Sequence, residues 1–307
     1  SKLTAAVNNA FDSKGQKKKR SRAVLVIYKD HIIAEKYDTG FTKNSKILGW
    51  SMTKSITATL FGILQKQGKY DINKPAPIPE WQKDERKKIT TNDLLHMNSG
   101  LEWEEAYDKI CDATKMLFIA EDMGRVQLEK PAAFAPNTHW NYSSGTSNLL
   151  SYVLRKQFKT HQEYLDFWYA QLIDRIGMHS MLIETDMVGN YVGSSYGWAT
   201  ARDWAKFGLL YLHKGNWNGD QVFDPSWENY VSTPTNDSKE GYGAHFWLNA
   251  GGHFPAAPRD MYSCNGYQGQ KVFIIPSLDL VIVRMGLSDE GKYDVNELLA
   301  GVIGSFK

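Results

Sequence analysis

Apolar and polar positions near the start of the chain predict a helix, a β-hairpin and a second helix. Residues 3–12 have helical spacing, and residues 23–28 and 32–37 are short apolar runs on either side of a polar turn. Apolar residues then recur at helical spacing over residues 51–67, and Gly68 follows as a C-terminal cap. The first quarter of the chain is therefore predicted to contain two strands between two helices.

The middle of the chain, from about residue 90 to residue 213, has mostly helical patterns. Thr91 is expected to cap residues 93–97. Thr200 and Asp203 have the spacing of a capping box, which predicts that another helix begins there. A long helical segment is thus expected between the hairpin and the last quarter of the chain.

The last quarter of the chain returns to strand patterns and ends with a helix over residues 295–303. The predicted strands cover residues 244–249, 271–275 and 280–284. This order of elements differs from the steady β-α alternation of a doubly wound fold. It predicts an α+β architecture in which both chain ends contribute to one antiparallel sheet, flanked by the terminal helices.

The domain organisation follows from this order of elements. Residues 1–65 together with 216–307 are expected to form an α/β domain, and residues 66–215 a mostly helical domain inserted into it. A cleft between two such parts is a natural place for an active site.

Composition and charge exclude some functions and leave others open. The chain has 307 residues, of which 42% are hydrophobic and 23% charged, and its formal net charge is +2. No global field favours nucleic acid, so the basic run of residues 17–20 is interpreted as a solvated connection. No apolar stretch reaches the roughly 20 residues that span a bilayer. Cys111 and Cys264 lie far apart and are expected to be buried free thiols.

The strongest single motif is the S-x-x-K arrangement of Ser51 and Lys54 at the start of a predicted helix. A spacing of three places both side chains on one helical face. A serine hydroxyl needs a base to become a nucleophile, and a lysine can be that base if burial or a nearby positive charge lowers its pKa. A free backbone N–H at the helix start can also bind an oxyanion. Taken alone, however, this spacing also occurs by chance.

Two further segments have chemistry that the first motif would need. Tyr142 stands in the polar segment 141–145, before a predicted helix over residues 147–155, and a tyrosine beside a lysine can relay protons. Residues 264–269 contain two glycines just before a strand, so another backbone can approach closely there. Each segment is equally compatible with an ordinary turn.

The three segments in this order resemble the serine β-lactamase and penicillin-binding-protein superfamily. The likeness is greatest to the class C-like branch that holds carboxylesterases, D-aminopeptidases and 6-aminohexanoate-oligomer hydrolases. It extends over nearly the whole chain and includes residues 49–55, 93–101, 201–208, 269–276 and 279–283. The resemblance implies the DD-peptidase/β-lactamase-like fold and a two-step acyl-transfer mechanism that needs no metal and no organic cofactor.

The resemblance also implies a role for individual residues. Ser51 corresponds to the acylated nucleophile, Lys54 to its base and Tyr142 to the tyrosine of the Y-x-N motif. The third residue of that motif is Ser144 here instead of asparagine. The backbone N–H groups of Ser51 and Tyr267 are expected to form the oxyanion hole.

The third motif of the superfamily, K-T-G or H-T-G, corresponds here to Cys264, Asn265 and Gly266. The cationic or imidazole side chain helps hold a substrate carboxylate in β-lactam and D-Ala-D-Ala enzymes, and a thiol cannot supply that charge. The expected substrates are therefore small ester, amide or peptide-like molecules. Trp50 and Trp103 are further candidates for the wall of the substrate groove.

Three alternatives remain open from the sequence. The protein could be a DD-peptidase or a weak class C-like β-lactamase, or a non-catalytic relative that binds a peptide or cell-wall fragment. The segment 193–197 also fits G-x-S-x-G, the nucleophile elbow of α/β-hydrolases, with Ser195 as the nucleophile. That interpretation lacks a helix directly after the serine and lacks parallel β-α units. The oligomeric state stays open. The compartment, exported or cytoplasmic, stays open too, because the sequence from Ser1 has no signal-peptide pattern but a chain whose signal peptide has been removed would look the same.

Overall fold

A computed structural model gives the fold and describes residues 1–306. Its α-helices are α1 (Lys2–Asn9), α2 (Thr53–Lys66), α3 (Thr91–Leu95), α4 (Asp112–Phe118), α5 (Met123–Leu128), α6 (Ser144–Arg155), α7 (His161–Trp168), α8 (Ala201–Leu212), α9 (Pro225–Val231) and α10 (Asn296–Gly304). Its strands are β1 (Ser21–Tyr28), β2 (His31–Tyr37), β3 (Ile47–Leu48), β4 (Leu182–Ile183), β5 (Gly197–Ala199), β6 (Asn216–Trp217), β7 (Asp220–Gln221), β8 (Trp247–Leu248), β9 (Tyr262–Gly266), β10 (Gln270–Ile275) and β11 (Leu280–Gly286).

The main sheet has six strands in the order β2-β1-β11-β10-β9-β8, and every neighbouring pair is antiparallel. The N-terminal strand β1 pairs with the C-terminal strand β11, from Ser21 opposite Gly286 to Tyr28 opposite Leu280. Both ends of the chain therefore build one sheet, which confirms the predicted α+β architecture and the DD-peptidase/β-lactamase-like fold.

Both faces of the sheet are covered, which explains the uninterrupted apolar run in β1. Val24 and Val26 pack with residues of α1 and α10 on one face. Leu25 lies on the other face, in a larger core that includes Trp204 and Phe207 of α8. Since successive side chains of a strand point to opposite faces, β1 needs apolar residues at nearly every position.

Several boundaries differ from the predictions, and three of these differences have a clear local reason. Helix α3 is capped by Thr90, because Thr90 and Asp93 have the spacing of a reciprocal capping box. Helix α6 begins at Ser144, three residues earlier than expected, because the hydroxyl of Ser143 accepts from the N–H of Thr146. The strand expected over residues 244–249 is reduced to β8, because His245 has a left-handed backbone with φ of 61°.

Helices α3–α7 lie in the middle of the chain, as the helical pattern predicted, and the division into two domains at residues 65/66 and 215/216 stays a prediction. Both cysteines are buried and free. Within residues 1–306, no helix has both the length and the apolar character that crossing a membrane requires.

Candidate active site

The candidate nucleophile lies in a single 3-10 turn, Trp50–Met52, that leads directly into α2. Trp50 has a left-handed backbone with φ of 48°, a conformation that costs energy in a residue with a large side chain. Gly49 precedes it and packs so closely that an added Cβ would lie 2.3 Å from the ring of Trp204. The backbone thus makes a tight turn before α2, where tight packing holds it. Ser51 faces the main cleft at the start of the helix.

Lys54 lies one turn further along and is almost completely buried, with 1% of its surface exposed. Its ammonium nitrogen is 2.8 Å from Ser51 Oγ, 2.9 Å from Ser144 Oγ and 2.9 Å from the carbonyl oxygen of Ser194. Burial lowers the pKa of Lys54 from 10.5 to about 8, although the negative charge of Glu105 opposes the change. A lysine in this state has an accessible neutral form that can take a proton from Ser51.

Tyr142 reaches the same place from the segment before α6. Its ring centre lies 4.9 Å from the ammonium nitrogen of Lys54, and its ring also contacts those of Tyr242 and Trp247. Burial raises the pKa of Tyr142 above its ordinary value, and this effect outweighs a hydrogen bond with Ser51 that lowers it. The phenol therefore keeps its proton near neutral pH and can donate it.

Strand β9 forms the opposite wall of the site and ends in the turn Tyr267–Gly269. A Cβ at Gly266 would lie 2.0 Å from the carbonyl oxygen of Gly49, so only glycine lets the two backbones approach this closely. The ring of Tyr267 contacts that of Trp50 edge-on, with 5.8 Å between the centroids. The two segments expected to form an oxyanion hole are therefore neighbours.

The other predicted site residues divide into two groups. Asn265 and Gly266 line the main cleft, Trp50 lines a side pocket next to Ser51, and Ser144 contacts Lys54. Cys264 and Trp103 are placed differently. Cys264 belongs to the large core, where burial raises the pKa of its thiol to about 12, and Trp103 packs in a small apolar cluster.

Glu105 belongs to this site although nothing in the sequence indicated it. One carboxylate oxygen, Oε1, lies 2.5 Å from Ser144 Oγ and 2.6 Å from the hydroxyl of Tyr107. The other, Oε2, accepts the backbone N–H of Ser144 at 2.9 Å and the indole N–H of Trp103. Since 39 residues separate Glu105 from Ser144, no local spacing could have linked them.

The sequence matches the family model described as Beta-lactamase over residues 7–298. The chain belongs to the beta-lactamase family. No curated protein matches it closely enough to add a relative of known function.

Solved structures agree with this membership at the level of the fold. The chain is similar to a Bacillus anthracis protein to which 6-aminohexanoate-dimer hydrolase activity has been attributed, with 20% identity, coverage of 94% of this chain and 78% of that one, and a TM-score of 0.77. It is also similar to a family VIII carboxylesterase, with 16% identity, coverage of 99% and 96%, and a TM-score of 0.75. A penicillin-binding protein homologue from Caulobacter crescentus has 13% identity, coverage of 99% and 96%, and a TM-score of 0.75.

The fold and the contacts of Ser195 argue against this residue as the alternative nucleophile. An α/β-hydrolase elbow requires a parallel sheet, whereas all six strands of the main sheet are antiparallel. Ser195 is buried, and its hydroxyl pairs with that of Ser194 at 2.9 Å. The segment instead supplies the Ser194 carbonyl that accepts from Lys54.

Two cavities of this beta-lactamase-family fold meet at Ser51. The main cleft has a volume of about 890 Å³ and is lined by Tyr142 and by polar residues of β9. The side pocket has a volume of about 90 Å³ and mostly apolar walls, among them Leu117 and Phe118. The site therefore has one small, mostly apolar arm and one large arm whose walls combine polar and apolar side chains.

Lys271 on β10 places a cation in the main cleft that sequence reasoning missed. With the Asn265 amide turned so that its nitrogen donates to Ser263, the amide oxygen lies 3.2 Å from the ammonium nitrogen of Lys271. Burial and the nearby Arg284 lower the pKa of Lys271 to about 8. The one charged residue of the mostly apolar strand β10 was the available signal, but its pairing with Asn265 depends on strand register.

Proposed function

We propose that the protein is a serine hydrolase that forms an acyl-enzyme on Ser51 and cleaves ester or amide bonds of small acyl substrates. The observation that carries this proposal is the 2.8 Å contact between Lys54 Nζ and Ser51 Oγ, at a lysine whose pKa is lowered to about 8. Neutral Lys54 takes the proton of Ser51 as the hydroxyl oxygen attacks the substrate carbonyl.

The remaining steps use the groups around that pair. The backbone N–H groups of Ser51 and Tyr267 stabilise the oxyanion, and Tyr142 or Lys54 gives a proton to the leaving group. Water then attacks the acyl-enzyme, with the same groups acting in reverse. The small side pocket beside Ser51 has room for a short acyl chain. The large cleft that contains Tyr142 has room for the leaving group on that side.

The solved structures support both bond types without deciding between them. Similarity to the family VIII carboxylesterase favours an ester as the bond that this protein cleaves. Similarity to the Bacillus anthracis protein, with its attributed 6-aminohexanoate-dimer hydrolase activity, favours an amide. A purely binding relative is disfavoured, because a buried lysine costs stability and a protein without acyl chemistry gains nothing from keeping Ser51, Lys54 and Tyr142 together.

A second candidate function is that of a DD-peptidase or weak class C-like β-lactamase. Lys271 favours it, because this cation faces the cleft beside Asn265 and could hold a substrate carboxylate that Cys264 cannot hold. Stable labelling of Ser51 by a tagged penicillin at low concentration would favour this candidate, and absence of labelling would count against it.

The experiment that tests the main proposal is hydrolysis of a short-chain nitrophenyl ester, followed by intact mass after brief mixing. The wild type, Ser51→Ala and Ser195→Ala are compared. Loss of turnover and of the acyl adduct only in Ser51→Ala is the expected result. Full activity of Ser51→Ala would contradict the proposal, and absence of both turnover and adduct in all three proteins would favour a binding function.

A further inference from the structure

The three contacts of the Lys54 nitrogen place a condition on its use as a base. An ammonium group has three protons to donate, whereas a neutral amine has two protons and one lone pair. To accept the proton of Ser51, neutral Lys54 must direct its lone pair at Ser51. Its two protons must then be accepted by Ser144 Oγ and the Ser194 carbonyl, which both lie 2.9 Å away.

The two acceptors differ in how they meet this condition. The Ser194 carbonyl has no proton and can only accept, but the hydroxyl of Ser144 can donate or accept. If this hydroxyl donated to Lys54, it would occupy the lone pair and leave none for Ser51. Some neighbour must therefore hold the Ser144 proton away from Lys54.

Glu105 lies where such a neighbour is needed. Its carboxylate receives four donors, two of which come from Ser144 itself, through the hydroxyl at 2.5 Å and the backbone N–H at 2.9 Å. The hydroxyl of Tyr107 and the indole N–H of Trp103 complete the set. A carboxylate accepts only, so the single proton of the Ser144 hydroxyl is directed at Glu105.

We propose that Glu105 is a positioning residue that keeps the Ser144 hydroxyl an acceptor towards Lys54 and so turns the lone pair of Lys54 to Ser51. An asparagine at this position would present a carbonyl oxygen, which accepts without help. A serine hydroxyl can donate or accept, so it needs a partner that fixes the direction of its proton, and Glu105 is that partner. This inference rests on the proposed roles of Ser51 and Lys54.

Other charged and titratable groups near Lys54 do not perform this task. Tyr142 keeps its proton, because burial raises its pKa. His245 is buried and neutral, with a pKa lowered to about 3 by burial, and its ring contacts the Leu95 carbonyl and Ser147 instead. Glu105 also raises the pKa of Lys54 through its charge, so its removal has two separable effects.

Glu105→Gln tests the proposal because it changes the direction of one hydrogen bond without changing size. The backbone N–H of Ser144 and the indole N–H of Trp103 require an acceptor, so the amide oxygen takes the place of Oε2. The amide NH₂ then faces the Ser144 hydroxyl, which must accept from it and donate to Lys54. We expect kcat to fall by roughly 10²-fold with little change in KM. Because the charge is also lost, the pKa of Lys54 falls and the acid limb of the pH–rate profile moves to lower pH.

Ser144→Ala distinguishes this role from a merely structural one. In the native background it removes a correctly directed acceptor, so we expect kcat to fall by roughly tenfold at unchanged KM. In the Glu105→Gln background it removes a wrongly directed donor, so it should raise kcat by roughly tenfold. A structural role predicts losses that add, and additive losses would overturn the proposal.

The controls separate this inference from the proposed function. Glu104→Gln changes the neighbouring carboxylate, which pairs with Lys109 at the surface, and should keep wild-type kinetics. Thermal unfolding checks that each variant is folded. If Glu105→Gln does not fold, Ser144→Ala still tests the proposal, because a wild-type kcat in that variant would overturn it. Normal Ser51 acylation with additive losses overturns only the role of Glu105, whereas no acylation in the wild type overturns both.

Discussion

Ser144 Oγ lies 2.9 Å from the ammonium nitrogen of Lys54, at the position where the superfamily motif has an asparagine. The substitution keeps a polar contact with the lysine but loses the fixed direction of an amide oxygen. Contacts connect four side chains, from Glu105 through Ser144 and Lys54 to Ser51, and in the proposed mechanism Glu105 acts on Lys54 through Ser144.

The pH dependence of turnover reports which group is the base. With the pKa of Lys54 at about 8, the neutral lysine needed for catalysis is scarce at low pH and dominant above that value. We expect kcat/KM for a neutral ester to rise about tenfold per pH unit below pH 8 and to level off above it. A midpoint near 6.5, the ordinary pKa of histidine, would contradict Lys54 as the base.

Tyr142→Phe should affect poor leaving groups much more than good ones. An amine leaving group needs a proton as the bond breaks, whereas nitrophenolate leaves without one. We expect roughly 10²- to 10⁴-fold loss of kcat for an anilide and less than about tenfold for the matched nitrophenyl ester. Equal losses on both substrates would show that Tyr142 acts elsewhere than on the leaving group.

Lys271→Met should lower the preference for substrates that carry a carboxylate on the leaving-group side. Charge-assisted hydrogen bonds contribute about 1.5–3 kcal/mol, so kcat/KM for the acid relative to its neutral amide should fall about 10- to 100-fold. Lys239, which also lines the cleft but is exposed, provides the control Lys239→Met. An unchanged ratio in Lys271→Met would remove the support for a DD-peptidase or β-lactamase function.

Gly266→Ala should damage catalysis by moving the nucleophile. The new methyl group would lie 2.0 Å from the Gly49 carbonyl, so β9 or the turn that carries Ser51 must shift. We expect a loss of roughly 10²-fold in kcat and about 1–3 kcal/mol in the free energy of unfolding. Gly304→Ala, where a Cβ meets nothing within 4 Å, is the matched control. Wild-type kinetics in Gly266→Ala would show that the two backbones need not be this close.

The parts of the site that depend on local spacing could be predicted from the sequence. Ser51 and Lys54 are three residues apart, and so are Thr200 and Asp203, whose capping contact opens α8 as expected. The sheet built from both chain ends could also be predicted, because apolar runs at each end needed partners. These features follow from the periods of helices and strands, which every sequence displays directly.

Contacts between distant segments could not be predicted in this way. Glu105 lies in an irregular stretch between α3 and α4, where no period indicates which way a side chain points. Lys271 faces Asn265 only because β9 and β10 pair in one particular register. Cys264 occupied the expected motif position, yet it lies in the core, since its strand is buried on the face to which the thiol points. Contacts between distant segments thus decide which charged groups face the cleft.

The pairing of β1 with β11 also determines when the enzyme can become active during its synthesis. Ser51 and Lys54 emerge from the ribosome early, but β9 beside them is made late and joins β1 only through β10 and β11, which are made after it. Pairing strands so far apart along the chain makes folding slow, because loop-closure entropy is lost before the contacts between the strands form. A nascent chain therefore carries Ser51 and Lys54 long before β9 can pack beside them. Under the proposed mechanism, we expect it to stay inert towards acyl compounds until the C-terminal strands have joined the sheet.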